Sequence, residues 1–287
     1  MRRESSASLS RDQILCIETH LREQYCGVFD EQMIAAHLSE YVESVFAENL
    51  AAVISADAAS GATLLDIGSG YGAFVLACRR RGIEAIGLEL ASFEVDIARE
   101  RLRRIDPDAD PKAIFCGGDG GRLPFADGTF DIVTLLNVLE HVPGYRQVLS
   151  EAARVLRPGG KLLVICPNYA ALRKEAHYHV PWLPLFPRRF ASSYLRRLGR
   201  NPKFFEEHIY YCTNWGVRRA LNDLGLRATS LDVLRAAHPE LISSARAKTV
   251  LRAIGRAGLL PLLTLGLAVN AYNPLKSAVT LVAEKGL

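Results

Sequence analysis

Leu64-Leu65-Asp66-Ile67-Gly68-Ser69-Gly70-Tyr71-Gly72-Ala73-Phe74 runs an apolar strand straight into a glycine-rich turn and then into a helix. Gly68 and Gly70 lack a Cβ, so the backbone can take a tight, partly left-handed path and admit a ligand closely. The spacing is G-x-G-x-G, and Phe74 stands where a dinucleotide-binding turn would carry its third glycine. Asp66, two residues before the first glycine, is a poor neighbour for a pyrophosphate. It suits a cationic ligand without phosphate.

Outward from that turn, strands and helices alternate. The apolar pattern predicts strands at 62–67, 84–90, 113–117, 130–136 and 161–166, with helices at 73–81, 92–105 and 145–156. A helix near 215–224, a strand near 226–233 and a last strand at 278–283 complete the series. Such alternation implies an α/β fold, a doubly wound sheet with helices on both faces. Glu89 ends the second strand nineteen residues after Gly70, where a carboxylate can accept hydrogen bonds from ribose hydroxyls.

Further segments follow in order: Cys116-Gly117-Gly118-Asp119-Gly120-Gly121, Asn137-Val138-Leu139-Glu140-His141-Val142, and Arg157-Pro158-Gly159-Gly160-Lys161. Together with the first turn, this ordered set resembles the class I S-adenosylmethionine-dependent methyltransferases over roughly residues 61 to 169. Within them it is similar to the quinone-pathway O-methyltransferases, a type 11/23 methyltransferase domain. The resemblance implies a seven-stranded Rossmann-like sheet. It implies S-adenosylmethionine as cofactor, bound by Asp66, Gly68, Ser69, Gly70, Glu89, Asp119, Gly120 and Asn137, with Asp119 accepting from the adenine amino group. An oxygen acceptor gains from a base near neutral pKa, and the candidates are His141 beyond the fourth strand, His177 and His179. Metal-using relatives carry an acid at the position of Asn137, so no metal is expected here. A cofactor-binding regulatory protein without turnover is the alternative reading, and a NAD-linked oxidoreductase stands behind it.

Residues 1–60 read as a helical N-terminal extension and 61–287 as the catalytic domain. Two stretches exceed the minimal fold: a Pro-, Arg- and aromatic-rich cap at about 168–212 and an apolar helical insert at about 236–275. Both connections leave the carboxyl edge of the sheet, where ligands bind, so both are expected to shape an acceptor pocket. Arg188, Arg189, Arg196, Arg197, Arg200 and Lys203 form an acid-free run with amphipathic helical spacing. From Ala257 to Leu275 lie nineteen uncharged residues between Arg252, Arg256 and Lys276. Pro261, Gly266, Asn270, Asn273 and Pro274 interrupt that run and argue against a membrane span. The open readings are a monotopic contact or an apolar acceptor pocket.

Composition agrees with an ordinary globular chain: 287 residues, 49% hydrophobic, 23% charged. A net charge of +4 is too mild to demand a polyanion, and Pro167-Asn168-Tyr169 follows the fifth strand and lacks the second proline of an amino-methyltransferase motif, so no nucleic-acid partner is expected. The acceptor is expected to be a small molecule or a lipid-linked intermediate. Six scattered cysteines without a C-x-x-C pair, and no apolar core after Arg2 and Arg3, fit a cytoplasmic protein. Peripheral contact at the inner membrane face is left open.

Overall fold

A computed structural model of the chain describes residues 9–42, 45–238, 245–270, 273 and 275–286. Three helices come first: α1 (Arg11–Gln24), α2 (Glu31–Val42) and α3 (Val45–Asp57). Ser10 and Gln13 start α1 with reciprocal side-chain to backbone hydrogen bonds, which satisfy two of the donors a helix leaves open at its start. The alternation then follows as β1 (Thr63–Ile67), α4 (Ala73–Arg79), β2 (Glu84–Glu89), α5 (Ser92–Ile105), α6 (Pro111–Ile114), β3 (Phe115–Gly117), β4 (Phe130–Leu136), α7 (Tyr145–Val155) and β5 (Leu156–Pro167). Residues 168–212 hold two short strands, β6 (Arg173–Lys174) and β7 (Pro181–Trp182), and two helices, α8 (Arg188–Arg197) and α9 (Lys203–His208). The chain ends with α10 (Asn214–Asp223), β8 (Leu226–Ser230), α11 (Leu231–Ala237), α12 (Ala245–Arg256), α13 (Leu260–Asn270) and β9 (Ala278–Lys285).

Seven strands make one sheet in the order β3-β2-β1-β4-β5-β9-β8, with β9 antiparallel to both neighbours. The doubly wound, seven-stranded expectation is met. Apolar side chains on both faces of β1, β4 and β5 explain the order: these central strands are buried above and below, as parallel strands covered by helices must be. One core lies between the sheet and α7 and α10, a second between the sheet and α3, α4 and α5. A third core is separate from the sheet. It joins Ile17, Leu21, Phe29 and Met33 of the N-terminal helices to Tyr169, Tyr178, Trp182, Leu195, Phe204 and Phe205 of the cap.

Several expected boundaries move for identifiable reasons. The strand expected at 226–233 stops at Ser230, whose hydroxyl accepts from Asp232 N–H and so starts α11. The third strand is only Phe115–Gly117, because Asp110 caps the short α6 across its expected beginning. Strand β5 starts five residues early through an irregular pairing of Phe130 with Leu156. The basic run at 188–203 is two elements rather than one helix: Gly199, at φ 71°, ends α8, and α9 starts at Lys203. Residues 1–8, 43, 44, 239–244, 271, 272, 274 and 287, which belong to the expected N-terminal extension, apolar insert and catalytic domain, lie outside the described residues.

Candidate active site

Parallel register sets the first part of the site. Asp66 in β1 pairs with Thr134 in β4, so the Thr134 hydroxyl donates to Asp66 Oδ1 at 2.5 Å, beneath the turn. Burial pushes the Asp66 carboxyl up to about 8, with Thr134 opposing and the Glu89 charge adding to the rise. Asp66 therefore supports the turn from below. Gly68 (φ 74°) and Gly72 (φ 78°) hold left-handed backbone; a Cβ on Gly68 would collide with Val138, and one on Gly72 with the Phe115 ring. Phe74, at the place of the missing third glycine, is buried in the core between α3 and α4.

Glu89 ties the turn to the tip of β2. Its Oε2 accepts from Gly70 N–H at 3.0 Å, and its Oε1 from Leu90 N–H at 2.7 Å and Ala91 N–H at 3.0 Å. A carboxylate has about four acceptor positions. One is left for a ribose hydroxyl, so clamping both hydroxyls exchanges a backbone bond for the second. Asp119 lies exposed at the start of the loop after β3, with Oδ1 accepting from Gly121 N–H at 2.8 Å. Asn137 takes the left-handed backbone region (φ 56°) at the end of β4.

All eight expected cofactor residues line one cavity of about 1150 Å³. These are also the features the cofactor requires: a glycine turn with no room for side chains, a carboxylate at the β2 tip and an acid beyond β3. The cavity continues past them to His20, Tyr25, Phe29 and His37 of the N-terminal helices, and to Arg173, His177, Phe204 and His208 of the cap. The helices before β1 thus lie across the site, as expected. Of the two inserts, the cap lines the cavity; among the described residues of 236–275, none does.

The histidines separate into two groups. His141 stands on a 3-10 turn (Leu139–His141) after β4, with Nδ1 2.9 Å from His208 O; a carbonyl there fixes the proton on Nδ1 and leaves Nε2 its lone pair. Burial, with the neighbouring His177, pushes His141 down to about 4. His177 Nδ1 lies 3.2 Å from Glu175 Oε1, and the rings of His141 and His177 meet edge to face at 5.0 Å. Glu175 is fully buried, yet hydrogen bonds from His177, Tyr178 N–H and Tyr169 hydroxyl overcome that burial and hold its carboxyl at about 2. His179 is not brought in. It occupies left-handed backbone (φ 56°), its N–H donates to Glu175 O, and it does not line the cavity.

Sequence reasoning missed Glu175 and Glu94, and it noted Glu140 only as part of a motif. Glu175 lies two residues before His177, a spacing from which an acid beside that histidine could have been inferred. Glu94 approaches Gly70 from the first turn of α5, and burial pushes its carboxyl up to about 8; neither effect has a motif. Glu140 Oε2 is buried without a hydrogen-bond partner, and burial pushes this carboxyl up to about 7. Among the described residues no group of three or more His, Cys, Asp or Glu is placed to hold a metal ion.

Residues 65–164 match the family model of a methyltransferase domain. The chain carries an S-adenosylmethionine-dependent methyltransferase domain. S-adenosylmethionine is its cofactor. The chain is 29% identical over 191 residues to 27-O-demethylrifamycin SV methyltransferase of Amycolatopsis mediterranei, covering 63% of this chain and 70% of that one. It is 33% identical over 156 residues to a demethylmenaquinone methyltransferase of Tropheryma whipplei, covering 54% and 61%. It spans about half the length (53%) of three Mycobacterium methyltransferases to which it is 34% identical. Among solved structures, the Bacillus subtilis YcgJ protein (17% identity, TM-score 0.51) covers 85% of this chain with 99% of its own length. A Haemonchus contortus phosphoethanolamine N-methyltransferase, in complex with phosphomonomethylethanolamine and S-adenosylhomocysteine, has 16% identity and a TM-score of 0.52, over 84% of this chain and 53% of its own. At those identities the likeness is one of fold.

Proposed function

We propose that the chain methylates an oxygen of a small-molecule, glycan or lipid-linked acceptor seated beneath the cap. One observation carries this reading: the cofactor turn and a cluster of histidines line the same cavity. The bound cofactor supplies a methyl group already activated by its sulfonium charge. What the chain must add is placement and a destination for the hydroxyl proton.

His177 is the better of the two candidates for that destination. With Nδ1–H donated to the Glu175 carboxylate, the buried negative charge stabilises the imidazolium that forms when the ring takes a proton. His141, pushed down to about 4, stays neutral at physiological pH and is a weak base. It is suited to orienting the acceptor through Nε2. Tyr25, Phe29 and Phe204 supply apolar walls and exclude water from the transfer. The relative named for a 27-O-demethyl substrate supports oxygen over nitrogen as the methylated atom.

Methyl-labelled S-adenosylmethionine, incubated with the chain and a cell extract, should place label on an oxygen of a recoverable product. His177→Asn should lower the rate by about 10²- to 10⁴-fold, the range for removing a general base, while S-adenosylhomocysteine affinity measured by calorimetry stays within about twofold. Label on nitrogen or carbon would overturn the oxygen assignment. An unchanged rate in the variant would overturn His177 alone.

A further inference from the structure

We infer that the α12–α13 hairpin is a docking face for an anionic lipid bilayer. The inference does not depend on which atom the enzyme methylates. Between Glu240 and Glu284 the sequence has no acidic residue and five cations: Arg246, Lys248, Arg252 and Arg256 in α12, and Lys276, which pairs with Asp232 of α11. Within that stretch α13 carries no charge. It presents two different sides. Leu260, Leu263 and Leu267 are half-buried, and the helix packs on α11 and β8; Leu262, Leu265 and Val269 are more than 60% exposed. Leu259 and Leu275 at its two ends, and Val250 of α12, are exposed as well.

Exposed apolar residues at positions i, i+3 and i+7, Leu262, Leu265 and Val269, form one stripe along a helix, here following α12, whose sequence carries four cations and no acid. Negative lipid headgroups over an acyl layer match both halves of that surface. A water-soluble protein partner would match the apolar stripe but has no reason to require the excess of cations. Crossing the membrane is excluded by length: eleven residues span roughly 16 Å at 1.5 Å per residue, about half a hydrocarbon core. No helix among the described residues is long and apolar enough to cross. The hairpin therefore lies in the interface.

Half of the cap's basic run, Arg188, Arg196 and Arg200, is engaged within the protein. Arg188 donates to the carbonyls of Phe205, Glu206 and Ile209, Arg196 pairs with Glu206, and Arg200 pairs with Asp30. Those cations hold the cap together. The hairpin also leaves and rejoins the sheet at its carboxyl edge: α11 follows the end of β8, and Ala278, the first residue of β9, lines the cavity. Docking through α12–α13 turns the edge of the sheet that holds the active site toward the bilayer.

The full chain should pellet with vesicles of phosphatidylcholine and phosphatidylglycerol at low salt, and the bound fraction should fall as salt rises. Vesicles of phosphatidylcholine alone should bind it weakly. Leu262→Glu with Leu265→Glu, both on the exposed stripe, should weaken anionic-vesicle binding by at least about tenfold, and Arg256→Glu by a smaller factor. Thermal unfolding at the wild-type midpoint verifies that each variant is folded. Failure of the wild type to pellet with anionic vesicles would overturn the inference, as would pelleting that the double variant leaves unchanged. So would light scattering that shows a dimer lost in the double variant, since a second copy would then cover the stripe. Methyl transfer is not measured in this experiment, so its failure leaves the proposed reaction standing.

Discussion

The two halves of the cavity are held by different kinds of bond. On the cofactor side the sheet does the positioning: strand register brings Thr134 to Asp66, and the Glu89 carboxylate is fixed by three backbone N–H groups. On the acceptor side the N-terminal helices and the cap supply most of the wall. Side chains hold segments distant in sequence together, as Arg200 does with Asp30 and Asn201 with the Gly27 carbonyl. Backbone-built sites tolerate little variation in spacing, because register and turn geometry allow few solutions. Side-chain-built walls can be exchanged piece by piece, which suits a pocket that distinguishes acceptors on a common fold.

If the halves are independent, damage to the cap should lower stability without touching cofactor affinity. Phe205 is the residue to remove. It is fully buried, its ring lies 4.5 Å from the Arg188 guanidinium and 5.3 Å from Trp182, and it joins the cap to the N-terminal helices. Phe205→Ala should cost about 3–5 kcal/mol of stability by urea denaturation, the usual range for deleting a buried aromatic ring. S-adenosylhomocysteine affinity should stay within about twofold. A proportional loss of affinity would break the comparison, since the third core would then be closing the cofactor site as well.

The reciprocal change is Glu89→Ala. Removing a charged acceptor should weaken S-adenosylhomocysteine binding by about 1.5–3 kcal/mol in calorimetry. The cap should not respond: tryptophan fluorescence, reporting in part the buried Trp182, should be unchanged. Unaltered affinity would remove Glu89 from the site and leave it as a brace for Gly70, Leu90 and Ala91.

The same division explains what could be read in the sequence. The turn at Gly68–Gly72 and the acid ending β2 sit at fixed offsets from strand ends, so periodicity located them before any contact was known; the acid after β3 came from the family resemblance. The N-terminal helices were legible as helices, and their place over the site followed from their position before β1. Glu175 was not legible as a partner of His177, although it is near in sequence, because the pairing depends on the chain folding back between β6 and β7. Nor could spacing tell which histidine lines the cavity: His141 and His177 do, and His179 does not. The apolar run at 257–275 was visible, but whether it lined the pocket or faced outward depended on packing against α11 and β8. The arginine run failed most informatively. Two of its cations find acids outside the 188–203 window, Arg196 at Glu206 and Arg200 at Asp30, so a charge count over that window overstated the unpaired surface.

That failure gives the smallest expected effect. Arg196 and Glu206 form an exposed pair at 2.9 Å between α8 and α9, and exposed pairs contribute no more than about 1 kcal/mol because solvent screens them and both side chains lose freedom. Arg196→Ala should therefore lower cap stability by less than about 1 kcal/mol, with the loss shrinking as salt rises. Cofactor affinity should be unchanged, since neither residue lines the cavity. Binding to anionic vesicles should also be unchanged, because the side chain is engaged within the cap. A clear drop in vesicle binding would mean that Arg196 exchanges Glu206 for lipid headgroups, and the cap would then share the membrane face with α12–α13.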